Sequence, residues 1–227
     1  MTVVRHFFKI LVITCIGLFA SVQADEGRPD KIIDVLTVQL LTAVEDAKDG
    51  FAENPEPFYA LLQTLVIPHM DMRGFARGVM GEYGSTAYYR GLQTKAEREA
   101  FKARVLGFVD IFTDSVVRTY GKGLMTFDGQ SIDRVPLTPE EEEMVATGRP
   151  LEIVQMIRSP GSDPHELRYS FARNKKGTWL ARNILVDGIN LGRVYQSQFS
   201  QAVKDNNGDV DAAVNGWSTD AAEGGGE

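Results

Sequence analysis

The stretch RNILVDGINLGRVYQSQF, residues 182–199, passes from one kind of secondary structure to another and decides the fold. Residues 184–186 are β-branched and aliphatic, as a strand requires, and Asp187-Gly188 reads as a turn. Beyond it Leu191, Val194, Tyr195, Phe199 and Val203 recur at the three- and four-residue spacing of one helix face, with Asn190 placed to cap it. A strand that feeds a helix in this way, with no nucleophile, metal ligand or phosphate loop in it, raises a question. The apolar side chains form either a plain core or a core that encloses something.

Upstream, LEIVQMIR, HELRYSFAR and TWLARNILVD read as strands, separated by SPGSDP and NKKG. Leu167, Tyr169 and Phe171 alternate with Glu166, Arg168 and Ser170, which predicts one buried and one wet face. LMTFDGQSID is expected to supply a fourth strand, and TPEEEEMVATGRP reads as a solvated acidic loop. Residues 25–123 read as helices. Asp30 is the expected cap of KIIDVLTVQLLTAVEDAK, PFYALLQTLVIPHM breaks at Pro68, and a short helix with Phe75, Val79 and Tyr83 on one face closes at glycine. Thr94 and Glu97 form a capping box before a long helix whose apolar arc, from Phe101 to Tyr120, exceeds the roughly 100° stripe of a surface helix. DVDAAVNGWS predicts a last short helix. The fold class is α+β: N-terminal helices and a long central helix packed on a curved antiparallel sheet of about four strands, with C-terminal helices.

The first 24 residues read as a secretory signal peptide, with a basic start (Arg5, Lys9), the apolar run ILVITCIGLFA, and a small residue, Ala24, at the cleavage point. The run is too short to span a bilayer, which takes ~20 residues. Cys15 lies inside it, not at its end as in a lipoprotein signal. Loss of Arg5 and Lys9 moves the formal net charge from −7 to −9, and the only cysteine goes with the leader. The expected product is an exported domain, residues 25–219, with a disordered tail at 220–227. Its acidity argues against nucleic acid, whose phosphates need dense Lys and Arg.

Catalytic patterns are missing. His69 and His165, the histidines beyond the leader, have no companions at metal-ligand spacing, and there is no Gly-x-Ser-x-Gly or Gly-x-Gly-x-x-Gly. YGKG lacks the rest of a phosphate loop, and DNNGDVD departs from a calcium loop at Val210 and Gly216, so it reads as a turn. The pocket between a curved sheet and a broad helix is a common ligand site. On composition alone, cavity and plain core stay open.

The segments VIPHMDMRGFARGVMGEY, EREAFKARVLGFV and DGINLGRVYQSQF, in this order behind a signal peptide, resemble the MlaC family of periplasmic, toluene-tolerance proteins. The resemblance rests on Pro68 with Met70-Asp71, on Met80-Gly81 with Tyr83, and on Asp187, Gly188, Ile189, Tyr195, Gln198 and Phe199. It implies a monomeric phospholipid carrier that needs no cofactor or catalytic residue. Such a carrier shuttles lipid between an inner-membrane Mla ABC transporter complex and an outer-membrane lipoprotein–porin complex, maintaining outer-membrane lipid asymmetry in a Gram-negative cell. It also implies a deep apolar cavity for acyl chains. The expected lipid-binding lining is Tyr83, Val105, Phe108, Val109, Phe112, Val116, Leu167, Tyr169, Phe171, Ile184, Val186 and Tyr195, with Phe199 wedging the last long helix onto the sheet. Arg73, Arg77 and Arg118 are candidates to meet a phosphate at the mouth. The sequence departs from the family in an insertion at residues 84–92 and a longer acidic segment at 138–150.

Two other readings are carried forward. One is a small isomerase- or hydratase-like enzyme working through Asp71 or His165 in an apolar pocket, although Asp71 is also placed to cap the helix from Met72. The other is a binder of small apolar solvents.

Overall fold

A computed structural model of the protein describes residues 27–218. The expected leader, residues 1–24, and tail, residues 220–227, lie outside the described residues. Helix α1 (Pro29–Ala47) is followed by α2 (Glu56–Val66), which passes into a 3-10 turn at Ile67–His69. Next come α3 (Met72–Val79), a second 3-10 turn (Gly81–Gly84), α4 (Thr86–Gly91) and the long α5 (Lys95–Leu124). Strand β1 (Ser131–Arg134), helix α6 (Pro139–Thr147), and strands β2 (Leu151–Arg158), β3 (His165–Arg173), β4 (Trp179–Val186) and β5 (Ile189–Asn190) lead to α7 (Leu191–Asp205) and α8 (Val210–Asn215).

Most helix starts follow from local chemistry. Before α5, Thr94 Oγ1 accepts from the Glu97 amide at 3.1 Å while Glu97 Oε2 accepts from the Thr94 amide at 2.7 Å, the reciprocal box expected. Asn190 caps α7 and Asp209 caps α8 through side-chain oxygens. The start of α1 differs from expectation. Its first residue is Pro29, so Asp30 lies in the first turn, buried and held by Arg28 Nε at 3.0 Å, and caps nothing. A proline at the first helical position needs no amide acceptor, which lets the helix begin ahead of the acid.

The acidic segment is likewise a helix, not a loop. Thr138 and Glu141 form a second capping box, Pro139 sits at the first turn, and Gly148 closes the helix at φ 75°. Three glutamates in the first turn, Glu140, Glu141 and Glu142, favour the positive helix end. The strand expected from LMTFDGQSID is only β1, because α5 runs on to Leu124. Residues 86–91 also form a helical turn, α4, in the stretch expected to be an insertion, and its Tyr88 and Tyr89 rings pack on Phe101 at 5.9 and 5.4 Å.

The sheet is an antiparallel five-strand meander in the order β1-β2-β3-β4-β5. Asp187 and Gly188, both at positive φ, make the two-residue turn from β4 to β5, the conformation Asp-Gly favours in hairpins. The register shifts between Ser170 and Phe171, where Arg182 is the extra residue on β4. The outer face is wet and charged: Arg168 bridges Glu166 and Glu152, and Arg158 pairs with Asp133. Such exposed pairs contribute little each.

Three apolar clusters hold the layers. One joins α3, α5, α7 and α8 around Phe108, Phe112, Tyr195, Phe199 and Trp217. A second seats α1 and α6 on the sheet through Ile32, Ile33, Leu36, Val145, Leu151, Ile153, Phe171 and Trp179. A third clamps α1, α2 and α5 through Val44, Phe58, Tyr59, Leu62 and Val117. Leu65, Ile67 and Met70 each pack against two of the three, so the junction after α2 ties them together. Met70 also bridges to Ala181 of β4, and the Asp71 amide donates to the Ala181 carbonyl at 2.9 Å.

Helices α2 and α5 approach so closely that a Cβ at Gly121 would stand 2.8 Å from Leu62 Cδ1 and 3.0 Å from the Tyr59 ring. Gly121→Ala is therefore expected to destabilise the protein by about 1–3 kcal/mol despite the better helix propensity of alanine, measured by urea unfolding.

Candidate functional site

The inner face of the sheet is closed at one end only. Leu151, Ile153, Phe171, Trp179 and Ala181 are covered by α1 and α6 and are no more than 5% exposed. Further along the same face the residues remain apolar but the cover thins. Leu167 pairs with Val186 and Tyr169 with Ile184, and all four are half-buried. Ile157 and Ile132, paired with each other, extend this apolar area and are also half-buried. Ile189, opposite Val186, is 58% exposed at the rim. A contiguous apolar face that is built into a fold and left partly uncovered marks a surface intended for an apolar partner or ligand.

The boundary between the closed and half-open parts is polar. Tyr169 Oη donates to Gln155 Oε1 at 2.9 Å, Gln155 Nε2 donates to Thr37 Oγ1 at 2.8 Å, and Thr37 Oγ1 donates to the Ile33 carbonyl at 2.8 Å. The chain satisfies the buried Gln155 and fixes α1 over β2 and β3. Neither Gln155 nor Thr37 was singled out from sequence, although a glutamine at an inward position of an alternating apolar strand is a usable signal.

Burial pushes the Tyr169 hydroxyl up to about 12. Its folded value lies above the unfolded ~10, so its contribution is intact below about pH 10 and is lost as pH rises through the folded value. Alkaline unfolding monitored by circular dichroism is expected to show Tyr169→Phe losing less stability than the parent between pH 10 and 12, with the parent the more stable near neutrality. An equal alkaline slope in both would count against the assignment.

The twelve expected lining residues separate into groups. Leu167, Tyr169, Ile184 and Val186 come together on the half-open face. Val105, Phe108, Phe112 and Tyr195 are enclosed in the helical cluster, with the Phe112 ring 5.5 Å from Tyr195 and 5.7 Å from Phe108. Tyr83, Val109 and Val116 are half-buried against that cluster, and Phe171 is buried under α1 and α6. Phe199 does not wedge α7 onto the sheet. Its ring meets Phe108 at 4.9 Å and Trp217 at 5.7 Å, because α7 turns this face toward α5 and α8. Trp217, which sequence reading left unremarked, contacts Phe108, Phe112, Tyr195 and Phe199.

The polar candidates separate too. Arg118 is held at the far end of α5 by Glu56, at 2.8 and 2.9 Å, and by Asp114 at 2.8 Å. Asp71 accepts from the Gly74 amide at 2.9 Å as the cap of α3. Asp71→Ala is expected to cost ~1 kcal/mol of stability in thermal unfolding. His165 is exposed, with Nδ1 2.8 Å from Asp187 Oδ2, and His69 is displaced toward the neutral form by burial. The Glu166 amide and then His165 hold the Asp187 carboxyl below its usual range. Among the described residues no group of three His, Cys, Asp or Glu side chains could hold a metal. No described helix is long and apolar enough to cross a membrane.

Concavities open on the helical side among the described residues. One, of about 190 Å³, is lined by Arg73, Arg77, Thr86, Tyr89, Phe101, Lys102 and Val105. Another, of about 540 Å³, lies between the second 3-10 turn and α7, from Met80 to Tyr83 and from Gln196 to Lys204. Neither is lined by a residue of the sheet.

An open antiparallel sheet with one half-covered apolar face, clasped by helices, defines an α+β domain with an apolar seat on its sheet. Residues 34–219 match the family model described as MlaC protein, and this chain belongs to the MlaC family. That family consists of periplasmic lipid-binding transport proteins and is not a family of enzymes. A toluene tolerance protein of Pseudomonas putida, ttg2D, is 24% identical over 212 residues, covering 93% of this chain and 90% of that protein. A phospholipid-binding protein from Ralstonia solanacearum, solved in complex with a phospholipid, superposes with a TM-score of 0.59 at 17% identity. That likeness covers 82% of this chain and 92% of the other, and it establishes the fold.

Proposed function

We propose that this protein is an exported phospholipid carrier of the periplasm, with the acyl chains seated on the half-open sheet face formed by Leu167, Tyr169, Ile184 and Val186. That face carries the reading, because it is the place where the interior stays apolar while its cover thins. Family membership and the lipid-bound Ralstonia structure support it. The basic start and apolar run of the leader support export. Val109 and Val116, half-buried on α5, are the proposed helical side of the lining.

The physical need is plain. A two-tailed lipid carries roughly 28 methylenes, and exposing them to water would cost on the order of 20 kcal/mol. A carrier therefore needs apolar cover, an opening, and docking surfaces, but no catalytic group. In this role the protein receives lipid from, or gives it to, an inner-membrane ABC transporter complex and an outer-membrane lipoprotein–porin complex. Direction then comes from the partners' differential affinities or from ATP hydrolysis in the transporter.

Native mass spectrometry of the mature protein, purified without detergent, tests the proposal. Stoichiometric phospholipid, released by organic extraction, is the expected result. A small apolar molecule in its place would select the solvent-binding reading. An empty protein that also takes nothing from vesicles would overturn both.

A further inference from the structure

The expected mouth arginines lie at opposite ends of α5, and the two that come together do so away from the sheet. Arg73 and Arg77 of α3, Lys102 of α5 and Thr86 of the insertion helix α4 line the concavity of about 190 Å³. Arg77 is fixed in place: its Nε donates to the Gly84 carbonyl at 2.8 Å and its Nη2 to Thr86 Oγ1 at 3.3 Å. Gly84 permits this approach, since a Cβ there would stand 2.6 Å from the Arg77 carbonyl oxygen. Arg73 has no ion-pair or side-chain hydrogen-bond partner among the described residues, and the one carboxylate bonded to Lys102 is that of Glu99, at 3.0 Å. In a chain whose formal charge is −7, Glu99 is the one carboxylate paired with any of these three cations among the described residues.

We infer that this concavity is a phosphate-binding site, built by the α4 insertion and separate from the sheet face. Two guanidinium groups and an ammonium supply the charge and the forked donors that a phosphate dianion or diester takes up. The concavity, of about 190 Å³, is small and suits a phosphate with a short carbon stub. Tyr89, Phe101 and Val105 provide an apolar wall for that stub. Lys102 and Val109, the nearer of the two proposed acyl-lining residues on α5, are seven positions apart, or about 10 Å at 1.5 Å per residue. Phe108, between them, is fully enclosed, and the concavity is lined by no residue of the sheet.

The mature chain titrated with inorganic phosphate and with glycerol 3-phosphate at low ionic strength tests the site, with calorimetry as the readout. Co-sedimentation with phosphatidylglycerol and phosphatidylcholine vesicles forms a second arm. Arg73→Gln, at an exposed position, is expected to weaken binding roughly tenfold or more. Arg118→Gln, whose parent side chain is paired elsewhere with Glu56 and Asp114, is expected to leave binding unchanged. Binding of the soluble phosphates with this pattern assigns a free phosphate or phosphate ester. Arg73-dependent binding to phosphatidylglycerol vesicles alone assigns a lipid headgroup at a membrane surface. No binding in either arm, or equal loss in Arg73→Gln and Arg118→Gln, overturns the site while leaving the acyl seat untouched.

Discussion

Phe112→Ala is expected to destabilise the protein by about 3–5 kcal/mol, a large part of the 5–15 kcal/mol that holds a typical domain folded. The ring is fully enclosed and lies within 5.4 Å of Phe75, 5.5 Å of Tyr195 and 5.7 Å of Phe108, with Trp217 at 6.3 Å. Truncation removes the transfer energy of the ring and leaves a cavity whose walls come from three helices, α3, α5 and α7, and from the segment after α8, and cannot easily close. Edge-to-face partners add to the loss. For a chain of this size each kcal/mol lowers the melting temperature by ~2–4 °C, so calorimetry should show a fall of about 6–20 °C. A loss below ~1 kcal/mol would mean that Phe112 borders empty space, as the sequence reading of it as cavity lining expected.

Ile184→Asp is expected to abolish lipid carriage while the protein still folds. Ile184 lies on the half-open inner face beside Tyr169, where a carboxylate would meet acyl chains without water or a partner to compensate. The neighbouring Leu185 pairs with Arg168 on the opposite, charged face. Because side chains alternate along a strand, Leu185→Asp places the same charge one residue away and outside the seat. Native mass spectrometry of detergent-free protein should then find lipid on Leu185→Asp and less than a tenth as much on Ile184→Asp. Equal lipid on both variants would remove the sheet face from the proposed function. Since Ile184 is half-buried, urea unfolding should accompany the test, with a cost for Ile184→Asp well below that for Phe112→Ala.

Local signals were read well and burial less so. The capping box at Thr94, the caps at Asp71 and Asn190, and the alternation in HELRYSFAR all depend on neighbours in the chain, and the structure contains them. The same box at Thr138 is present in TPEEEEM, although the run of acids by itself predicts a solvated loop. A helix N-terminus welcomes those charges, and Val145 supplies the buried anchor. Among the candidate lining residues, period gave the correct sheet face for Leu167, Tyr169, Ile184 and Val186. It could not separate Phe108 and Phe112 from Val116, because all lie on the broad apolar arc of one helix and differ only in what packs against them.

By itself the sequence determined the α+β order, the helix boundaries set by caps and prolines, the resemblance to the MlaC family and the lack of recognisable catalytic motifs. These are properties of residues a few positions apart, for which backbone sterics and local hydrogen bonds suffice. Only the tertiary structure decided which apolar residues form sealed core and which stay half-covered, that Gln155 and Thr37 join Tyr169 across three elements, and that Arg73 and Arg77 meet Lys102 while Arg118 is spent on Glu56. Burial and charge pairing depend on contacts between segments tens of residues apart. The packing of helices on one another and on the sheet sets those contacts, and no local pattern encodes them.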